Sequence, residues 1–555
     1  MSNHISESVL GKRQDGAETH ASPGSPKRAK TDDTTILPAS AEEILPLEST
    51  VDATATSNKE GKGKRDTVGF AKSRKGKEKD PKTKNRGRRS GPREEQPERK
   101  SGGALEGEGG DKAPRLPKRM CAVLIGFCGT GCQGMQIQPD VRTIEGVLFE
   151  ALVRAGAVSQ DNADDPLKVG LGRAARTDAG VHAAGNVVSI KLITEVPGVE
   201  DLAAHINQHL PPEIRVWGFV RTQNSFNARL SCDSRKYTYF FPSYLLIPPR
   251  PGSGLDKLIH SHSPQSSQGA FPTDAEVHPF WADAPIGSTK EELLRRKRAW
   301  RVEADMMEKL RETSKRFVST HNFHNFTVGR DFGDRSNQRY MMKIEIADPA
   351  VYGETEWISV MFHGQSFMLH QRKMMAGLVL SVRTGTPPQI IDELYGPRQV
   401  FIPKMPSLGL LLEHPIFDSY NRKVIDTNEK LRPDDPLRRP PIDFEIHSEA
   451  IAKFKQVHIY DRMRDIEDRG GVFDSWVRHV DSYAGSDLSW LNPKGTIPPV
   501  AVLKKGERRS NPFREKRQFD VTDYSAAGGG KIVIEDVEDE PEEKLNKAQL
   551  ADMEG

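Results

Sequence analysis

Residues 172–186 read Gly-Arg-Ala-Ala-Arg-Thr-Asp-Ala-Gly-Val-His-Ala-Ala-Gly-Asn and run directly into Val187-Val188-Ser189-Ile190-Lys191-Leu192. The second stretch is β-branched and alternating, the pattern of a strand. The first is the loop that feeds it. This junction sets Asp178 at the mouth of a sheet, with Arg176 two residues before it and Gly180 two after. A cation beside a carboxyl lowers its pKa, so Arg176 can keep Asp178 ionised. An oriented, ionised carboxylate can serve as a nucleophile. The same residues also describe an aspartate that caps its own turn, and the local pattern leaves the two readings level.

Elements of both kinds flank this junction. Residues 120–127 form an apolar run of strand length, closed by Gly129-Thr130-Gly131. Residues 143–155 predict a helix, with Ile144, Val147, Leu148, Ala151 and Leu152 on one face. A short helix is expected at 201–210, and strands at 214–220 and 236–241. Further on, 290–313 reads as a charged, amphipathic helical stretch, 341–346 and 357–362 as strands, and 366–382 as a long helix. Strand–helix–strand units thus occur twice, which predicts an α+β protein of two similar halves. Residues 442–477 carry a helical apolar pattern, from Ile451 and Phe454 to Phe473 and Trp476, expected to pack rather than to recognise. The expected division is 1–117, 118–247, 248–289, 290–425, 426–505 and 506–555. Of these, 118–247 and 290–425 are the two halves and 248–289 is a low-complexity surface insertion. Residues 426–505 are a helical extension.

Only 35% of the residues are hydrophobic, and both ends are poorer still, so the two terminal regions are expected to be disordered. Between Lys59 and Lys100 stand 17 basic and seven acidic residues, whereas residues 535–540 are almost all acidic. A flexible basic arm attracts polyanions with little sequence preference. Lys12-Arg13 followed by Pro26-Lys27-Arg28-Ala29-Lys30 has the spacing of a bipartite nuclear import signal, which implies the import machinery as a partner and the nucleus as the location. No apolar run approaches membrane-spanning length, so no membrane partner is expected. Cys121, Cys128, Cys132 and Cys232 lack the paired spacing of a zinc site, and no metal is expected.

Six blocks together resemble the TruA family of tRNA pseudouridine synthases, and in particular its eukaryotic nuclear branch, the fungal-like synthase 1 type. They are the Asp178 block; Gly129–Gln136 with Arg142-Thr143-Ile144-Glu145-Gly146; Phe226-Asn227-Ala228-Arg229 with Arg235-Lys236-Tyr237; residues 321–327; Phe367-Met368-Leu369-His370-Gln371; and Leu408-Gly409-Leu410. They fall in the family's order over roughly residues 118–425. The resemblance implies that the two halves join edge to edge into one continuous, mainly antiparallel sheet with a central active cleft. It implies an isomerase that turns uridine into pseudouridine in tRNA, with small nuclear RNA and messenger RNA as further candidate substrates. No cofactor is implied, because the reaction needs neither redox change nor group donor. A monomer is expected from the large C-terminal extension, which the resemblance implies packs on the core beside the RNA channel.

By the same resemblance Asp178 is the catalytic aspartate and Tyr237 the residue that stacks on the target base. Arg176 positions Asp178 or a phosphate. Arg229, Arg235 and Lys236 are candidates to grip the RNA backbone and offset the energy of turning a nucleotide out of its helix. The sequence departs from the family at His370-Gln371-Arg372-Lys373, where an apolar residue normally follows the glutamine and an arginine comes next. Aligned without a gap, Lys373 takes the arginine's place and keeps the charge without the planar fork. One position is about 100° of helix rotation, so Arg372 is not expected to substitute for its neighbour. Cys132 is a second departure, at a position where an aromatic residue is usual. A competing reading, motivated by that helix and by the basic arm, is a catalytically weak RNA-binding or RNA-folding protein using the same cleft. A carboxylate-based hydrolase would normally need a second catalytic carboxylate, and the Asp178 segment offers none.

Overall fold

The computed structural model describes residues 116–261, 277–285 and 287–504. The import signal, the basic arm and the acidic tail lie outside the described residues. Ten strands form one sheet: β1 (Lys118–Phe127), β2 (Gly172–Arg173), β3 (His182–Ile193), β4 (Ile214–Arg221), β5 (Ser234–Pro242), β6 (Ser319–Asn322), β7 (Gln338–Ile346), β8 (Ala350–Tyr352), β9 (Thr355–Gly364) and β10 (Leu410–Ile416). Their order is β4-β1-β3-β10-β5-β9-β7-β6, with β2 on β3 and β8 on β9. All pairings are antiparallel except β10 with β3.

The two sequence halves do not simply abut. Strand β10 of the second half lies between β3 and β5 of the first, and β5 in turn pairs with β9 of the second. This interlock sets the junction at the sheet centre, beside Asp178.

Alternation along β1 explains how both faces are covered. Cys121, Val123, Ile125 and Phe127 meet helices α1 (Ile144–Arg154) and α2 (Leu202–Gln208), whereas Ala122 and Leu124 face the opposite side. Thr143 caps α1, its hydroxyl accepting from the Gly146 N–H at 3.2 Å. Asp201 does the same for α2 through Ala204.

Several expectations need correction. The segment 248–289 contains α3 (Gly254–Ser261) and the short α4 (Pro279–Ala282). Leu255 is wholly buried, and the backbone at Gly254 approaches Tyr483 so closely that a Cβ would lie 2.6 Å from its carbonyl oxygen. The stretch 290–313 is two helices, α5 (Lys290–Ala299) and α6 (Ala304–Lys315). The chain leaves the helix between them because Trp300 and Val302 pack on the core and Glu356 accepts the Val302 N–H at 2.9 Å. The long helix expected from residue 366 begins at Lys373, as α7 (Lys373–Arg383). Residues 366–368 are irregular and 369–372 are turns, with His370 in the left-handed region at φ 55°.

After α8 (Ile390–Glu393) and α9 (Asp418–Asn428), the extension forms α10 (Ser448–Phe454), a wide π-turn at Lys455–Tyr460, α11 (Asp461–Gly470) and α12 (Val472–Ser482). Met463, Ile466, Phe473 and Trp476 are buried against the second half, as the apolar pattern predicts, and Val480 beyond the pattern joins them, while Val457 is 50% exposed. Two buried ion pairs fasten the extension: Lys297 to Asp474 at 2.7 Å, and a two-point contact of Arg383 with Asp481.

Candidate active site

The loop bearing Asp178 is held at both ends by side chains from its own block. Asn186 is fully buried; its amide accepts from Ala175 N–H and donates to the Ala175 carbonyl at 2.9 Å. His182 Nδ1 accepts the Gly129 N–H at 3.2 Å, which leaves Nε2 to donate to the Leu408 carbonyl at 3.2 Å. One imidazole thus joins the first, second and last sequence blocks. The glycine-rich loop packs directly on this segment: Met135 N–H donates to Thr177 and Gly180 N–H to Cys132. Gly134 has φ 85°, and a Cβ there would lie 2.8 Å from the Thr177 oxygen, so only glycine fits without strain. Cys132 is buried in this loop, where burial pushes its thiol up to about 11 and makes it an inert apolar filler.

Asp178 Oδ2 lies 2.9 Å from His370 Nδ1, with the two side chains 22% and 15% exposed. Burial works to raise the Asp178 pKa. It is outweighed by His370, through charge and hydrogen bond, and by the charges of Arg372 and Lys404, which hold the carboxyl well below the usual range. His370 reaches the carboxylate from the turn preceding α7, and its left-handed backbone is the kind of strain that collects at functional sites. The extension also supports the site, because Trp476 Nε1 donates to the Lys404 carbonyl at 2.8 Å.

Tyr237 is buried on β5, opposite Leu412 and Phe362, and its ring meets Phe367 edge-on with centroids 4.7 Å apart. Burial pushes its phenol well above the ordinary value, against the pull of Arg235 and with the push of the Asp178 charge. It is therefore a neutral phenol beside an ionised carboxylate.

Of the other expected site residues, Arg235 and Lys373 are turned inward onto backbone carbonyls. Arg235 is 4% exposed; its Nη1 donates to the Gln365 carbonyl at 2.9 Å and its Nη2 to the Ala174 carbonyl at 2.8 Å. It ties the chain leading to Asp178 to the chain leading to His370. Lys373 is buried and donates to the Thr327 carbonyl at 2.9 Å, while the charge of Arg372, beside that of His370, bears on Asp178. The rotation argument does not apply to Arg372, because the helix starts only after it. Arg176 is half-buried, and its charge, with that of Arg173, opposes the burial that pushes up the Glu145 carboxyl. Arg229 is half-buried on the loop after β4, its N–H bonded to the Asn227 side chain. Sequence reasoning assigned no role to His370, Arg372 or Lys404. His370 lay within a recognised block, but only the fold brings it across 192 residues to Asp178.

A family model described as tRNA pseudouridine synthase matches residues 314–418, the span that carries His370, Arg372, Lys404 and Leu408. A tRNA pseudouridine synthase 1 of Eremothecium gossypii is 40% identical over 418 residues, covering 68% of this chain and 76% of the relative. The protein of that name from Schizosaccharomyces pombe is 38% identical over 476 residues, 69% of this chain and 86% of the relative. One from Candida glabrata is 40% identical over 410 residues, 67% of this chain and 72% of the relative. Identity at this level, over most of each relative, joins the carboxylate cleft to a known lineage: the chain belongs to the tRNA pseudouridine synthase family.

Proposed function

We infer that this protein isomerises uridine to pseudouridine in tRNA, with Asp178 as the reacting carboxylate. The reaction breaks the N1–C1′ bond, turns the base, forms the C5–C1′ bond, releases the C5 proton and takes up one proton at N1, so the atoms balance with no group donor or oxidant. The observation that carries the reading is an aspartate kept ionised by His370, Arg372 and Lys404 at the junction of the two halves. The charges of Arg372 and Lys404 also offset the repulsion between the carboxylate and a polyanionic substrate. Tyr237, neutral and braced edge-on by Phe367, offers a flat apolar wall against which a turned-out base can stack.

The test is tritium release from tRNA labelled at C5 of uridine. The wild-type protein should release it and Asp178→Ala should not. Wild-type silence with intact tRNA binding would reject the isomerase in favour of an RNA-binding protein. Small nuclear RNA and messenger RNA are proposed as further substrates, measured the same way, with the basic arm as the motive. A nuclear site of action rests on the basic residues at 12–13 and 27–30. A fluorescent fusion with these replaced by alanine should remain cytoplasmic, and its nuclear accumulation would reject that placement.

A further inference from the structure

A cavity of about 330 Å³ opens at the far end of β1, lined by Arg119, Arg221 and Arg439 with Gln223, Asn224 and Thr427 at its walls. Arg119 and Arg221 come from neighbouring strands, β1 and β4, and Arg439 from the loop that follows α9. Arg439 is fixed in place. Its N–H donates to the Asn428 side chain, whose amide returns a bond to the Arg439 carbonyl at 2.7 Å, and its Nη1 donates to the carbonyls of Pro436 and Arg438. Its Nε is buried without a partner among the described residues.

The three guanidinium groups repel one another. Burial, then Arg221 and Arg119, push the Arg439 pKa down, and Asp435 is the carboxylate that opposes this. Asp435 itself stays outside the lining, with one oxygen accepting the Leu437 N–H. A concentration of like charge with no carboxylate in its lining is poised for an anion. At this volume the anion can be larger than a bare oxyanion, and the wall amides and hydroxyl suit a sugar.

The site is remote from the chemistry. Phe127 pairs with Ala183 beside the Asp178 loop. Arg119 is eight residues back along the strand, about 26 Å at the ordinary rise.

We propose that this arginine cavity is a second RNA site, which takes a backbone phosphodiester of the substrate far from the uridine being isomerised. The proposal rests on the RNA-substrate reading. It predicts that Arg119, Arg221 and Arg439 govern how a full-length tRNA is held, and that they take no part in the bond changes.

The experiment uses full-length protein carrying Arg119→Gln with Arg221→Gln, and separately Arg439→Gln, compared on a whole tRNA and on a target hairpin of about five base pairs, too short to span the distance. On the whole tRNA we expect KM to rise roughly tenfold with kcat unchanged, and the salt slope of binding to fall by about 0.7–0.9 for each phosphate that the cavity no longer holds. The hairpin should show no difference. Because Arg439 also anchors its own loop, the strand pair is the decisive variant. Unchanged KM and salt slope in that variant, with wild-type turnover normal, would overturn the proposal. So would an equal loss on the hairpin. Tripolyphosphate is the free-anion probe: if it raises the melting temperature of the wild type but not of the variant, while tRNA binding is the same in both, the cavity is a small-anion site and the RNA assignment fails. Should the wild type bind tRNA without isomerising it, the catalytic reading falls, and the binding comparison still decides the cavity.

Discussion

Replacing Arg235 by methionine separates two readings of that residue. If it grips RNA, the loss appears in substrate binding. If it is the clamp its geometry describes, the loss appears in stability and turnover. The guanidinium is almost wholly enclosed and spans the carbonyls of Ala174 and Gln365. Methionine fills much of the volume and bonds neither. A buried carbonyl left unpaired costs ~1–3 kcal/mol, so two place the loss at about 2–6 kcal/mol. Lysine, with one ammonium, reaches one carbonyl at a time and should lose roughly half as much. Ala174 lies four residues before Asp178 and Gln365 five before His370, so slack here misplaces both partners of the carboxylate contact. A displacement of about 1 Å in a reacting group can lower kcat by ~100-fold. Guanidinium chloride midpoints and initial rates of tritium release measure the two effects. A raised KM with stability within about 0.5 kcal/mol of wild type would refute the clamp.

Three further outcomes follow from the same site and its surroundings. In His370→Gln the largest influence holding the Asp178 carboxyl down is removed, so its pKa rises and the acid limb of kcat/KM moves to higher pH. A limb that stays in place would show that His370 does not act on Asp178. Gly134→Ala puts a Cβ against the Thr177 oxygen at positive φ, a strain of ~1–3 kcal/mol, and should depress kcat while the far-UV spectrum stays native. Glu467 is buried against Tyr244 and the Phe473 N–H, and burial raises its pKa from 4.5 to about 7. Between those values the folded chain holds a proton that the unfolded chain has released, so stability falls as pH rises through this window, by about 3 kcal/mol. Glu467→Gln keeps a neutral group there and should flatten that fall in pH-dependent denaturation; an unaltered profile would contradict the assignment.

Local physics carries the sequence reading where the signal is local. The apolar run of β1 and the Thr143 cap of α1 each determine their own element, and the structure shows both within a residue or two. The β-branched run lies inside β3, which begins at His182, five residues before Val187, in what reads locally as loop. Long-range placement is illegible. Nothing in Leu410–Ile416 says that it enters between β3 and β5, and nothing in His370 says that its ring meets a carboxylate from the other half. The helix pattern of 366–382 extends through its first turns because Phe367, Met368 and Gln371 fit the period. Tertiary demands at the cleft unwind them, and Arg372 gains its reach to Asp178 by that unwinding. Arg235 looks like surface charge because composition records a charge but not the two carbonyls waiting for it.

The interlock of β5 and β10 bears on how the protein is made. On the ribosome, β3 and β5 emerge more than 160 residues before the strand that must lie between them. Until Leu411 meets His182 and Leu412 meets Tyr237, two strands of the catalytic centre present bare edges to the cytosol. The first half therefore cannot mature as a self-contained unit during synthesis. A chain stalled or cleaved before residue 410 is left with adhesive edges, a substrate for chaperones and proteases rather than a partly working enzyme.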